Sequence, residues 1–131
     1  FIGQVLRLES LTVFGDGSQT RSFCFIDDMV KGIYKLLHSN YTKPMNLGNP
    51  EEIALIDIAK EIIAMGGYDN KIVFKPLPIN DPVKRRPHIT KAMKILNWQP
   101  YVSRKKGLEN VFNYFKSLSI EELNKKNNNF T

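Results

Sequence analysis

The segment Leu11-Thr12-Val13-Phe14-Gly15-Asp16-Gly17-Ser18-Gln19-Thr20-Arg21-Ser22-Phe23, which continues to Asp27-Asp28, decides how the chain is interpreted. Its order predicts a short β-strand, a glycine turn, one arginine, a second apolar strand and a helix whose first turn is capped by acidic residues. A strand beside the turn would hold the guanidinium in a fixed place, where its planar fork binds a phosphate through two parallel hydrogen bonds. A β-hairpin whose arginine lies in solvent explains the same residues, because a turn of Gly, Asp and Ser needs no ligand.

The composition is that of a globular protein with a basic C-terminal part. The chain has 131 residues, which suits one domain or one lobe of a larger protein, and 42% of them are hydrophobic. Residues 81–131 contain 11 basic and 4 acidic side chains, whereas residues 1–80 contain 8 and 9. The basic triplets are not interleaved with aromatic residues, so we expect most of this charge to be solvated and not to bind nucleic acid.

Disulfide, metal and membrane chemistry have little support in the sequence. The single cysteine, Cys24, cannot form an internal disulfide, and its apolar neighbours predict a buried thiol in a strand. His38 and His88 have no Cys, Asp or Glu at ligand spacing, so neither a zinc site nor a catalytic histidine is predicted. No apolar run approaches the ~20 residues needed to cross a bilayer. The start at Phe1 within a helical pattern leads us to expect a cut through a longer protein.

Helical and strand patterns alternate along the chain. The apolar spacing predicts helices over residues 28–37, 54–66, 90–96 and 103–115. Strands are predicted over 11–14, 21–26, 45–48 and 71–77, with a proline-rich loop over 76–87. Trp98 is expected to fill the core. The mixture of elements with short connections fits an α/β or α+β lobe over residues 1–118, followed by a polar tail over 119–131 that we expect to be frayed or disordered.

Three loops carry polar residues suited to a nucleotide: Arg21, Asn46 and Arg85 supply two guanidinium groups and one amide for phosphate or ribose oxygens. Around them the sequence resembles the C-terminal part of the UDP-glucuronate decarboxylases, which belong to the extended short-chain dehydrogenase/reductase family. The motifs that carry the resemblance are Phe1-Ile2-Gly3-Gln4, residues 11–23, Asn46-Leu47-Gly48-Asn49-Pro50-Glu51-Glu52, Asp81-Pro82-Val83-Lys84-Arg85-Arg86-Pro87 and Leu96-Asn97-Trp98-Gln99-Pro100. The motifs at residues 46–52 and 81–87 favour the decarboxylase branch. The resemblance covers the chain up to its Asn-rich tail.

The resemblance implies the C-terminal substrate-binding lobe of an extended short-chain dehydrogenase/reductase, an α/β fold of short strands and helices. The family's glycine-rich dinucleotide-binding turn and its Tyr-x-x-x-Lys pair lie upstream of the segment that matches here, and the sequence contains neither in a suitable context. We therefore expect the Rossmann half to be missing and no residue of this chain to bind the cofactor. NAD would be bound by the missing N-terminal half, and the chain alone would be inactive.

The resemblance also assigns roles to individual residues. Arg21 would grip the diphosphate of a nucleotide sugar, and Asn46 would support the ribose or diphosphate. Arg85 would lie over the diphosphate and sugar, with an auxiliary catalytic role in orienting the carboxylate or transferring a proton as the alternative. None of the assigned residues binds a metal.

The same resemblance implies a uracil site along the first strand. Val13 and Phe14 would lie along the base, with Phe14 where a tyrosine is more usual, and Gln19 belongs to the same substrate-binding set. Core packing remains the alternative explanation for Val13, Phe14 and Phe23. His88 stands where an acidic residue is often seen, and Ala54 replaces a Ser or Thr helix cap.

The implied reaction oxidises C4 of UDP-glucuronate with tightly held NAD, releases the carboxylate from the β-keto acid and reduces the ketone to UDP-xylose. A 4,6-dehydratase or a 4-epimerase would share Arg21 and Asn46, and a basic module that binds polyanions without catalysis is a second alternative. The implied partners are a UDP-sugar substrate and a second copy in a homodimer of the full-length protein, with no nucleic acid and no membrane contact from this segment. The implied compartment is the cytoplasm, or the Golgi lumen if the missing N-terminus carries an anchor.

Overall fold

The computed structural model describes residues 1–119 and 121–124. Its elements, in chain order, are α1 (Ile2–Leu6), β1 (Leu11–Phe14), β2 (Thr20–Ser22), α2 (Ile26–Leu37), β3 (Glu52–Ala54), α3 (Leu55–Gly66), β4 (Ile72–Lys75), β5 (Lys84–Arg85), α4 (Thr90–Leu96) and α5 (Arg104–Lys116). The described residues divide into a first unit, Phe1–Ser18, Ala54–Asp81, 109–119 and 121–124, and a second unit, Gln19–Ile53 and Pro82–Leu108. The short strands and helices agree with the predicted α/β class.

The first unit is organised around the parallel pair β1 and β4, in which Leu11 lies opposite Ile72 and Phe14 opposite Lys75. Side chains alternate across a strand, so Leu11 and Val13 point to the same face, and both are fully buried. The apolar face of α3 supplies buried residues to the same unit, namely Ile58, Ala59 and Ile62. These burials confirm the predicted strand at 11–14 and the helix that follows residue 54.

Ala54 and Gly67 stand at the two ends of α3. Ala54 occupies the N-cap without a side-chain hydrogen bond. At the other end Gly67 adopts a left-handed conformation with φ 69°, and its N–H donates to the carbonyls of Ile63 and Ala64. Glycine takes this conformation without the steric cost of a Cβ, so the predicted stop at this glycine pair is confirmed.

The second unit has its core around Trp98, whose side chain is 2% exposed and packs with Ile89, Ala92 and Leu96. Gly32 of α2 faces the indole, because a Cβ built there would lie 2.8 Å from Trp98 Cε2. The close approach of α2 to the tryptophan therefore requires glycine at this position. The prediction that Trp98 fills the core is confirmed.

Asp28 connects α2 to the segment after Trp98. Its Oδ2 accepts hydrogen bonds from the N–H groups of Tyr101 at 2.9 Å and Val102 at 2.7 Å, and its carbonyl accepts one from Trp98 Nε1 at 2.9 Å. Its Oδ1 is buried without a partner among the described residues. The expectation that Asp27 or Asp28 caps α2 is wrong, since the N-cap is Phe25 and makes no side-chain hydrogen bond.

Several predicted strands differ from the structure. β1 does not form a hairpin with β2, because β1 pairs with β4 and β2 lies in a sheet of order β3-β2-β5. The strand predicted over 21–26 ends at Ser22, so Cys24 lies in a non-regular segment, half-buried. Residues 45–48 are not a strand, since no neighbouring strand pairs with them in the described part of the chain. β3 was not predicted, and β5 forms inside the predicted loop 76–87.

The C-terminal tail is described only in part. Ser103 Oγ accepts a hydrogen bond from Lys106 N at the start of α5, as predicted. Ser119 and Glu122 then make reciprocal hydrogen bonds, Ser119 N to Glu122 Oε2 at 2.9 Å and Glu122 N to Ser119 Oγ at 3.3 Å. This is a capping box, and residues 121–124 are helical. Residue 120 and residues 125–131 of the predicted tail lie outside the described residues.

Candidate functional site

The short sheet of the second unit brings two of the predicted site residues together. β2 and β5 are parallel, with Thr20 opposite Lys84 and Arg21 opposite Arg85. Paired residues on neighbouring strands point to the same face of a sheet, so Arg21 and Arg85 share one face. Two positive charges on one face of a short sheet attract an anion to that face.

Arg21 is held in place by backbone carbonyls. Its Nη1 donates to the carbonyl oxygens of Thr20 and Pro82, each at 2.8 Å, and the side chain is half-buried. These bonds fix the guanidinium beside the segment that leads into β5. A positively charged group that is oriented before a ligand arrives loses little conformational entropy on binding.

Arg85 is more open than Arg21. Its side chain is exposed, and no acidic side chain forms an ion pair with it in the part of the chain that the structure describes. Its backbone is tied to β2, since Ser22 Oγ donates to the Arg85 carbonyl at 3.2 Å. The backbone of Arg85 is thus fixed while its guanidinium is available to an anion.

The opposite face of the same sheet carries a carboxylate beside its basic side chains. Thr20 Oγ1 donates to Glu52 Oε1 at 2.6 Å, and Glu52 Oε2 lies 3.9 Å from Arg86 Nη1. Arg86 therefore differs from its neighbour Arg85, because it lies on the face that also carries a carboxylate. The alternation of side chains along an extended segment places these consecutive arginines on different faces.

A cavity of about 760 Å³ opens on the side of Arg86. Its polar lining comes from Asn49, Arg86, His88, Thr90 and Gln99. Neither of the paired arginines lines it. Sequence reasoning did not find this cavity, because its walls come from three segments that no single motif joins.

Asn46 and Gln19 are placed differently from the arginine pair. Asn46 is exposed, and its Nδ2 donates to the His88 carbonyl at 3.4 Å, which joins the loop after α2 to the start of α4. Gln19 is only 4% exposed, so its carboxamide is turned away from the surface. The substrate roles of both residues remain predictions.

Val13 and Phe14 belong to the first unit. The Val13 side chain, on β1, is fully buried. This burial agrees with core packing, the alternative explanation that the sequence left open. Phe14 is 43% exposed, so its ring offers a surface on which a base could stack. Of the two, only Phe14 presents its side chain to solvent, and the uracil contact remains a prediction for both.

No metal site or reactive thiol is found in the described residues. Among residues 1–119 and 121–124, no three His, Cys, Asp or Glu side chains come together as metal ligands. Burial, and secondarily the negative charge of Asp28, raise the pKa of the Cys24 thiol. A raised pKa leaves less thiolate near neutral pH, so Cys24 is a poor nucleophile.

The residues present do not fit a dinucleotide cofactor. Such a site needs glycine N–H groups at the start of a helix that follows a strand. Within the described ranges, the turn at Gly15 and Gly17 leads from β1 to β2 and not to a helix, and β3 joins α3 directly at Ala54. We therefore assign no residue of this chain to the pyrophosphate of NAD. None of the described helices has the length and apolar character needed to cross a membrane.

The amino-acid sequence of the chain is similar to those of known proteins. A sequence profile of the NAD dependent epimerase/dehydratase family matches residues 1–48. UDP-glucuronic acid decarboxylase 4 of Arabidopsis thaliana is 45% identical over 108 residues, which are 82% of this chain and 24% of that protein. UDP-glucuronic acid decarboxylase 1 of Danio rerio is 44% identical over 115 residues, 88% of this chain and 28% of that protein. The chain thus spans between 24% and 28% of the length of these two relatives.

The fold of the chain is also similar to that of a solved structure. A crystal structure of UDP-glucuronic acid 4-epimerase from Bacillus cereus, in complex with UDP-glucuronic acid and NAD, has a TM-score of 0.84 and 32% sequence identity to this chain. The match covers 90% of this chain and 38% of that one. The sequence profile, the curated relatives and the solved structure all point the same way: the chain is similar to members of the NAD dependent epimerase/dehydratase family and spans about a quarter to two fifths of the length of the proteins compared.

Proposed function

We propose that this chain is the substrate-binding portion of an NAD-dependent UDP-glucuronate decarboxylase that makes UDP-xylose. The observation that carries the proposal is the register of the short sheet, in which Arg21 and Arg85 are direct neighbours on one face. The similarity to decarboxylases of two organisms supports the choice of substrate.

The arginine pair suits a diphosphate for electrostatic reasons. A nucleoside diphosphate linked to a sugar carries one negative charge on each of two adjacent phosphates. Guanidinium groups bind phosphate oxygens through charge-assisted hydrogen bonds, which are about twice as strong as neutral ones. The second unit has 12 basic and 4 acidic side chains, so its field also attracts an anion.

The residues of this chain would bind and orient the substrate. Arg21, held by the carbonyls of Thr20 and Pro82, would fix one phosphate. Arg85 would bind the other phosphate or, as the alternative, orient the sugar carboxylate before it is lost. NAD would supply the hydride chemistry, bound by the N-terminal part of a full-length protein of the size of the curated relatives. That full-length protein would form a homodimer.

A 4-epimerase is the second candidate function, because the solved epimerase binds UDP-glucuronic acid on the same fold. The two candidates differ in product and not in the diphosphate contacts. A protein that contains this chain and the cofactor half would release carbon dioxide and UDP-xylose from UDP-glucuronate if it is a decarboxylase. An epimerase would return a UDP-hexuronate and release no carbon dioxide.

The binding site is tested by titration calorimetry of UDP into the wild type, Arg21→Ala and Arg85→Ala. A lost hydrogen bond to a charged group costs roughly 1.5–3 kcal/mol, so Arg21→Ala should bind UDP at least about tenfold more weakly, and Arg85→Ala should do the same if Arg85 also binds the diphosphate. Lys91→Ala is the matched control, because it removes an exposed charge of the same unit from α4. Equal loss in all three variants would favour the polyanion-binding module, and unchanged binding in both arginine variants would refute the site.

The role of Arg85 is separated from that of Arg21 by steady-state kinetics of the cofactor-containing protein. If Arg85 serves the carboxylate or a proton transfer, Arg85→Ala keeps UDP affinity and lowers kcat, whereas Arg21→Ala mainly raises KM. If both bind the diphosphate, the two variants lose UDP affinity alike. The 131-residue chain by itself should form no UDP-xylose from UDP-glucuronate and NAD, and turnover above a blank would show that the catalytic centre lies in this chain.

A further inference from the structure

We propose that Glu52 is a positioning residue that sets the spacing of Arg21 and Arg85 from the opposite face of the sheet. The inference rests on the proposed diphosphate site, and it assigns a role to a residue that contacts neither arginine of the pair. A carboxylate close to an anion site would ordinarily weaken anion binding by repulsion. Its presence here therefore needs a reason.

The contacts of Glu52 span the three strands of the short sheet. Its Oε1 accepts a 2.6 Å hydrogen bond from Thr20 Oγ1 on β2, the central strand. Its Oε2 reaches Arg86 Nη1 at 3.9 Å, directly after β5. The Glu52 side chain is 26% exposed and that of Arg86 is 61% exposed, so the hydrogen bond to Thr20 is partly shielded from water and the ion pair with Arg86 is open to solvent. One carboxylate thus joins the residue before Arg21 to the residue after Arg85.

The backbone alone holds β5 weakly. β5 is two residues long and β2 is three, so few ladder hydrogen bonds are available between them. Pro82 and Pro87 flank β5 and have no N–H to donate. The bond from Thr20 N to the Val83 carbonyl at 2.9 Å is one of the few that fix the register. A side-chain bridge therefore contributes a larger share of the positioning here than in a longer sheet.

The two possible effects of Glu52 on anion binding have opposite signs. If Glu52 acts only through its charge, Glu52→Ala removes a repulsive carboxylate and frees Arg86, so an anion binds more tightly. If Glu52 positions the arginines, the same substitution lets β5 shift and an anion binds more weakly. The sign of the change in affinity therefore decides between the two effects.

Titration calorimetry of UDP into Glu52→Ala tests the proposal, with Glu51→Ala as the matched control. Glu51 is the adjacent residue and pairs with Arg104, with 3.4 Å between Oε1 and Nε, so its removal changes the charge equally without touching the bridge. We expect Glu52→Ala to weaken UDP binding about tenfold and Glu51→Ala to leave it unchanged or slightly tighter. Unchanged or tighter binding in a folded Glu52→Ala protein would overturn the proposal.

A second pair of variants keeps the test decisive if Glu52→Ala fails to fold. Thr20→Ser retains the hydroxyl that donates to Glu52, whereas Thr20→Val has the size of threonine without it. Positioning predicts normal UDP binding for Thr20→Ser and several-fold weaker binding for Thr20→Val, with thermal unfolding showing that both are folded. Equal affinity in the two variants would overturn the proposal.

A failure of the proposed diphosphate site would give different binding results from a failure of the Glu52 proposal alone. If the wild type does not bind UDP, or if Arg21→Ala and Arg85→Ala bind it normally, the proposed function and this inference fail together. If the arginine variants lose UDP binding while the Glu52 and Thr20 variants keep it, the site stands and the positioning role of Glu52 is rejected.

Discussion

The two sheets of the molecule are held in different ways. In the first unit, β1 and β4 pair over four residues, and the fully buried Leu11 and Val13 fix their position. In the second unit, β2 and β5 pair over two residues whose side chains are polar or charged, and hydrogen bonds from the side chains of Arg21 and Ser22 to the carbonyls of Pro82 and Arg85 support the pairing. Apolar burial makes a stable scaffold, whereas the polar sheet leaves charged groups at the surface for a ligand. Substitutions in each sheet test this difference.

The largest effect is expected from Leu11→Ala in the first sheet. Truncation of a fully buried leucine loses transfer free energy and leaves a cavity, which lowers the free energy of unfolding by about 2–5 kcal/mol. Urea denaturation followed by circular dichroism measures it. Val73→Ala on the paired strand is the control, since Val73 is 40% exposed and should cost less than about 1 kcal/mol. Equal losses in the two variants would show that burial does not hold the first sheet.

A smaller loss is expected from Asp28→Ala in the second unit. The substitution removes the acceptor of the Tyr101 and Val102 N–H groups, and unsatisfied donors of this kind cost about 1–3 kcal/mol. Hydrogen exchange should become faster at these two amides in particular. Asp27→Ala is the control, because Asp27 is exposed in the same helical turn and loses only a helix-dipole interaction of at most about 1 kcal/mol. If the two amides stayed equally protected, the anchoring role of Asp28 would be wrong.

Self-association should follow from the exposed face of α2. Val30, Ile33 and Leu37 lie on one side of this helix and are 54%, 54% and 77% exposed, whereas the apolar face of α3 in the first unit is buried. Contiguous apolar surface drives association, so we expect the isolated chain to self-associate or to be poorly soluble. Sedimentation velocity should show oligomers that Ile33→Glu reduces and that the exposed-site control Lys31→Glu does not. A monomer at the highest attainable concentration would contradict this expectation.

The smallest effect concerns the thiol of the second unit. Burial, and secondarily the charge of Asp28, raise the pKa of Cys24, so its thiolate forms at a higher pH than in a free cysteine. Alkylation by iodoacetamide should therefore be slower than that of free cysteine at neutral pH, and its rate should rise at a more alkaline pH. The unfolded chain in urea is the control and should react at the ordinary rate. Equal rates in the folded and unfolded chains would show that the thiol is not shielded.

The sequence predicted the elements whose pattern is local. Strand 11–14, the helices, the stop at Gly67 and the burial of Trp98 follow from periodicity, capping and residue size, which act within a few residues. The resemblance also identified Arg21 and Arg85 together, and the structure places them as direct neighbours. Their proposed contacts with a nucleotide sugar are for the binding experiments to decide.

Other features could not be predicted because they depend on residues far apart in the chain. β3 and β5 are too short to show a two-residue period, and they form because β2 provides the hydrogen-bonding partner between them. Asp28 has the sequence position of a helix cap, yet its carboxylate accepts bonds from residues more than seventy positions later. The predicted strand at residues 45–48 lacked such a partner in the described structure and did not form.

The sequence by itself indicated the family resemblance, the helices and the two arginines proposed for the site, since these depend on local patterns and recognisable motifs. Only the tertiary structure decided that Arg85 and not Arg86 shares a face with Arg21, and that Glu52 lies on the other face beside Thr20 and Arg86. The physical reason is that side chains alternate across a strand. The direction in which an arginine points is therefore set by the register of pairing between distant strands, which no local pattern encodes.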